Sequence, residues 1–187
     1  MNTSKIKPIC LLHNTRGCTK ANAIENVKCD NKVRVIVSYD WGTQSGSMAL
    51  IRNKIKEIFD EMKQEFPGVK FLLQDLRGKD GSIYCDICRQ IRSADVALFE
   101  LSTYNLNVVI ELGLAINAGD YVLILRSAHY TLKPEILSDL QGILEYRYSN
   151  RGGILKFQAN FVRTLKAKLR FTARRKSKLQ QSTGSNQ

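Results

Sequence analysis

The chain has 187 residues, 43% of them apolar, enough for one ordinary hydrophobic core and too few for two full domains. Its net charge of +12 is unevenly spread: residues 146–187 hold eleven of the 29 basic side chains and none of the 17 acidic ones, which leaves 18 bases against 17 acids in the body. No apolar run approaches the ~20 residues that span a bilayer, and the opening Met1 to Pro8 lacks a secretory apolar stretch, so a soluble cytoplasmic protein without membrane contact is expected.

Residues 1–32 lack apolar periodicity and read as an irregular N-terminal arm. Five cysteines, an odd number, argue against a disulfide framework and for thiols that are buried, metal-bound or reactive. The arm's Cys10, His13, Cys18 and Cys29 offer three thiolates and one imidazole, an acceptable tetrahedral set for a structural zinc where no core exists to hold the chain. Their irregular spacing also fits scattered thiols in a loop-rich segment.

The domain itself is expected over residues 33–170. Val33 to Tyr39 reads as a largely buried strand, and the loop after it carries Gly42 and Gly46. A helix follows, with Ile51, Ile55, Ile58, Phe59 and Met62 on one face, and Pro67-Gly68 ends it. The unit then repeats: strand Val69 to Leu73, a loop through Gly78 and Gly81, and a helix bearing Ile83, Ile87 and Ile91. Cys85 and Cys88 on that helix read as core packing ahead of redox or metal chemistry.

Strand Val96 to Leu101, a helix from about Val108 to Ala118, strand Tyr121 to Leu125, a short helix near Pro134 to Leu140 and a last strand around Leu144 to Tyr148 complete the alternation. This predicts an α/β fold, a parallel sheet of about five strands covered on both faces, with ligands bound beyond the carboxyl ends of the strands. A final helix, roughly Ile154 to Leu169, should dock a stripe of Ile154, Phe157, Phe161, Val162, Leu165 and Leu169. Residues 171–187 read as a basic, disordered tail, able to meet nucleic acid or an acidic protein partner.

The most informative segment is Ala94 to Ala115, which runs strand, polar turn, helix. Its helix is apolar nearly all round and is expected to be deeply buried, yet it carries one charge, Glu111. An unpaired carboxylate there costs several kcal/mol, so it needs a cationic partner, a proton or a pocket. Cleavage of an N-glycosidic bond passes through a cation-like sugar centre that a fixed carboxylate in a dry pocket can stabilise or attack. Ser102, Thr103, Asn105 and Asn107 can form a polar shell for ribose hydroxyls; the plainer reading is that they cap the helix and shape the turn. Ser38, Asp40 and Trp41 close the first strand at the carboxyl edge, where Trp41 can stack on a base or merely anchor its loop. Asp75, with the loop from Arg77 to Gly81, can line the same pocket. No Gly-x4-Gly-Lys-Ser/Thr loop is present, so ATP hydrolysis of that kind has no support.

Residues 33–125 resemble the bacterial TIR-like domains and their relatives, the nucleoside 2-deoxyribosyltransferases. The resemblance is carried by Val35-Ile-Val-Ser-Tyr39, by Asp75, by Ile87 to Ile91 leading to Ala94-Asp95, and above all by Asn105-Leu-Asn-Val-Val-Ile-Glu-Leu-Gly-Leu-Ala115. The last is similar to the family's Asn-Pro-Asn-Val-x-x-Glu-Leu-Gly signature, with Leu106 in place of the proline; Glu100 stands where an aspartate is usual. The resemblance implies a flavodoxin-like sheet and a catalytic role for Glu111 in breaking the nicotinamide–ribose bond of NAD. Beside it, the residues themselves predict a nucleotide pocket lined by Ser38, Asp40, Trp41, Asp75, Glu100, Ser102, Asn105 and Asn107.

The leading expectation is an NAD glycohydrolase acting as a bacterial antiviral defence effector, quiet alone and active once assembled as a homo-oligomer or bound to a signal. The alternatives are a sensor that holds a nucleotide without turning it over and a deoxyribosyltransferase-like enzyme.

Overall fold

The computed structural model describes residues 9–10, 15–16, 30–43, 45–78, 83–119, 121–129, 145–158 and 160–184. In chain order the elements are β1 (Ile9–Cys10), β2 (Thr15–Arg16), β3 (Lys32–Ser38), α1 (Ser45–Glu65), β4 (Lys70–Asp75), α2 (Ile83–Ser93), β5 (Val96–Glu100), α3 (Leu106–Asn117), β6 (Tyr121–Ser127), β7 (Glu145–Arg151), β8 (Ile154–Phe157) and α4 (Asn160–Gly184). Of the proposed zinc ligands, Cys10 falls in the two-residue hairpin of β1 and β2, while His13, Cys18 and Cys29 lie outside the described residues. The helix expected near Pro134 to Leu140 and the loop residues 79–82 also lie outside them.

The six-stranded sheet has the order β4-β3-β5-β6-β7-β8, with parallel pairs from β4 through β7 and an antiparallel β8 at the edge. Its five parallel strands follow the flavodoxin-like order, in which the chain steps one way from β3 to β4 and the other way to β5. In sheets of this order ligands bind at the reversal, here the carboxyl ends of β3 and β5.

Strand alternation divides the core into two layers. Val33, Val35, Val37, Val96, Leu98, Leu123 and Leu125 face α1 and α4, where Ile51, Ile55, Ile58, Phe161, Leu165 and Leu169 complete a closed cluster. Ile36, Ala97, Phe99 and Ile124 face α2 and α3 and pack with Ile87, Ile91, Val108, Leu112 and Ala115. Each fully buried Val, Ile, Leu or Phe contributes about 1.5–3 kcal/mol, so these two layers, more than helix propensity, hold the fold.

Three expectations are corrected. Ile154 to Phe157 is a strand, because Gly152 and Gly153, at φ of 58° and 80°, form the tight two-residue turn of a β7–β8 hairpin. Ile154 itself is 65% exposed. Next, the basic end is helical: α4 continues past Leu169 to Gly184, with Ala173 and Lys176 extending the i, i+4 stripe of Phe161, Leu165 and Leu169 into burial. Lys176 is fully buried, its ammonium 3.0 Å from Asp95 and 3.9 Å from Asp30, and it donates to the carbonyl of Lys32. Ion pairs of Lys166 to Glu61 at 2.5 Å and Arg170 to Glu65 at 2.7 Å fasten α4 to α1. Finally, α3 lies at the surface rather than deep inside, burying Val108, Leu112 and Ala115 and leaving Leu106 and Ile110 exposed.

Candidate active site at the strand reversal

β3 ends at Ser38, whose alternation turns its side chain to the α3 side of the sheet. Asn105 caps α3, accepting from the backbone N–H of Asn107 at 3.0 Å, and this fixes the helix start so that Glu111 comes round to face β3. The Ser38 hydroxyl donates to the Glu111 carboxylate at 2.5 Å. Among the described residues no Lys or Arg forms an ion pair with Glu111, whereas a basic partner would have marked it as structural. Burial pushes the Glu111 carboxyl above the ordinary glutamate range, and the Ser38 hydrogen bond pulls it partly back.

The loops that follow β3 and β5 are tied together. Asp40 accepts from Gly42 N–H at 3.1 Å, from the Thr43 hydroxyl at 2.9 Å and from the Thr103 hydroxyl at 3.0 Å, linking the turn after β3 to the turn after β5. Slight burial raises the Asp40 carboxyl, and the bonds from Thr43, Gly42, Thr103 and Asn105 together outweigh it, leaving it below the ordinary aspartate range. Trp41, 41% exposed, packs tilted against Tyr39 with ring centres 4.5 Å apart and lies 3.6 Å under the guanidinium of Arg77. Arg52 bridges the Tyr39 hydroxyl and Asp75, each at 2.8 Å, so Asp75 is engaged in an ion pair beside this aromatic stack.

Glu100 departs furthest from expectation. It has no exposed surface and sits on the opposite face of the sheet from Glu111. One of its oxygens accepts from the Ser102 hydroxyl, from Ser102 N–H at 3.1 Å and from the Tyr148 hydroxyl at 3.0 Å, while the other is buried without a hydrogen bond. Burial raises the Glu100 carboxyl above its ordinary range, and Glu100 in turn adds to the burial that raises the Tyr148 hydroxyl. Ser102 also accepts from Ser127 N–H at 2.6 Å, so it joins β5, β6 and β7 rather than facing Glu111.

The structure therefore brings Ser38 to Glu111 and Asp40 to Thr103, and groups Trp41 with Asp75 through Tyr39, Arg52 and Arg77. Asn105 and Asn107 serve the helix start, and Glu100 and Ser102 lie beneath the site. Sequence reading missed Thr43, Arg52 and Tyr148. A polar residue three after Asp40 is an ordinary Asx-turn signal and could have flagged Thr43; Arg52 and Tyr148 reach the site only through tertiary packing.

Fold and site together define a flavodoxin-like α/β protein with a desolvated carboxylate at the point where its strand order reverses. No protein-family model matches the chain and no curated protein matches it either, so the functional reading rests on these residues.

Proposed function

We propose that the chain is a TIR-like NAD glycohydrolase, activated by assembly or by a signal, that uses Glu111 to break the bond between nicotinamide and ribose. The observation that carries this reading is Glu111 itself: a half-buried carboxylate at the strand reversal, aimed by the Ser38 hydroxyl and without a cationic partner among the described residues. In the reaction the C1′–N bond breaks and its electron pair leaves with the pyridinium nitrogen, giving neutral nicotinamide. Positive charge grows on the ribose, where the ionised Glu111 stabilises it. Water then bonds to C1′ and gives its proton to Glu111, which suits a carboxyl held above its ordinary range. Arg77 covers the Trp41 ring and would have to move aside for a base to stack there, and the Asp40–Thr103 bridge ties the two loops beside Glu111.

Purified chain incubated with NAD, alone and with an oligomerising tag, tests the reading. Nicotinamide release is expected in the assembled form and should fall by about 10²–10⁴-fold in Glu111→Gln. Absence of release in both forms, or release unchanged by Glu111→Gln, contradicts it.

A further inference from the structure

At the other end of the sheet, where β5 and β6 begin, α4 closes a cleft of about 170 Å³. Its walls include Asp95, Gly119, Tyr121, Lys168, Phe171 and Arg175. Gly119, at φ 73° with nothing within 4 Å of where a Cβ would stand, leaves one side open. The Lys168 ammonium lies 4.2 Å from the Tyr121 ring centre and 5.6 Å from that of Phe171, with no carboxylate within ion-pairing distance among the described residues.

The one acid in the cleft is already engaged. Asp95 bonds Lys176 at 3.0 Å and the Arg34 N–H at 2.9 Å, and stands 3.9 Å from Arg175. Burial and then the facing Arg175 disfavour the charge on Lys168, and Asp95, shared with Lys176 and Arg175, offsets them only in part. The C-terminal end of α3 brings roughly half a negative charge, which is less than the two side chains carry.

We propose that this cleft binds a phosphate group, free or as the monoester of a small molecule, between Lys168 and Arg175. A dianion matches the two positive charges where a carboxylate would match one, and Arg175 adds the fork geometry suited to phosphate oxygens. The volume takes one phosphate with a few attached atoms; drug-sized ligands occupy about 300–1,000 Å³. The site lies at the opposite end of the sheet from Glu111.

Calorimetric titration of the full chain with inorganic phosphate and with glycerol 3-phosphate, against sodium chloride at matched ionic strength, tests the proposal. Saturable binding is expected, weakened by about tenfold or more in Lys168→Met and in Arg175→Ala. Lys178→Ala, which removes the same charge outside the cleft, and Glu111→Gln should bind as the parent does. Tighter binding of the ester identifies an esterified ligand, and tighter binding of inorganic phosphate a free one. No saturable binding beyond chloride, or equal binding by Arg175→Ala and Lys178→Ala, overturns the proposal; the exposed Arg175 keeps the test valid should Lys168→Met fail to fold.

Discussion

Two pairs of carboxylates, one at each end of the sheet, are held in opposite ways. At the amino end, Asp30 and Asp95 are met by Arg34, Lys176 and Arg175, and the cluster joins β3, β5 and α4. At the carboxyl end, Glu100 and Glu111 are held by hydroxyls: Ser102 and Tyr148 for one, Ser38 for the other. Burial raises the Asp30 carboxyl, yet the hydrogen bonds from Arg34 and Lys32 and the positive charges outweigh it and leave it below its ordinary range; both glutamates are raised. A carboxylate matched to cations fastens structure, whereas Glu111, only half-buried and without a cation among the described residues, can answer positive charge on a ligand.

The comparison breaks most visibly in stability. Lys176→Met strips the buried cation from Asp95, which is 4% exposed, and should cost about 3–5 kcal/mol in chemical denaturation. Glu111→Gln should stay within about 1 kcal/mol of the parent, because it removes a desolvated charge rather than a partner. Equal losses from the two variants would erase the distinction between the ends.

A smaller effect is expected from Ser38→Ala. Its hydroxyl holds the Glu111 carboxyl down, so its loss raises that group further and moves the acid limb of the kcat/KM profile to higher pH, with a rate loss of about tenfold. An unmoved limb would mean that Ser38 does not position Glu111.

The smallest effect concerns Glu100. Its folded pKa lies above the unfolded value near 4.5, so the stability it contributes is present below that value and is lost as pH rises through the folded one. Glu100→Gln should remove that decline in denaturation curves measured from pH 4 to 8. A decline retained in the variant would assign it to another group.

Much of the fold was legible because a parallel sheet writes itself as apolar runs alternating with helical faces, as Val33 to Tyr39 and Ile51 to Met62 do. Glu111 was legible for the same reason, as one charge in an apolar helix. Ile154 to Phe157 misled because apolar residues at 154, 157, 161 and 165 fit a helical stripe, while the Gly152-Gly153 pair carried the hairpin signal. Lys176 read as part of a solvated tail because its partners, Asp30 and Asp95, are distant in sequence. The displacement of Glu100 away from Glu111 follows from strand alternation, which sets successive side chains on opposite faces and which the resemblance alone did not resolve.

The most direct test of the central claim, that Glu111 is a desolvated carboxylate without a cationic partner, is a carboxyl-detected NMR titration resolving Glu111 and Asp30 in the same sample. The account predicts that Glu111 titrates above the ordinary glutamate value of 4.5 while Asp30 titrates below the aspartate value of 3.8, and that Ser38→Ala moves Glu111 further up. A Glu111 midpoint at or below 4.5 would contradict it.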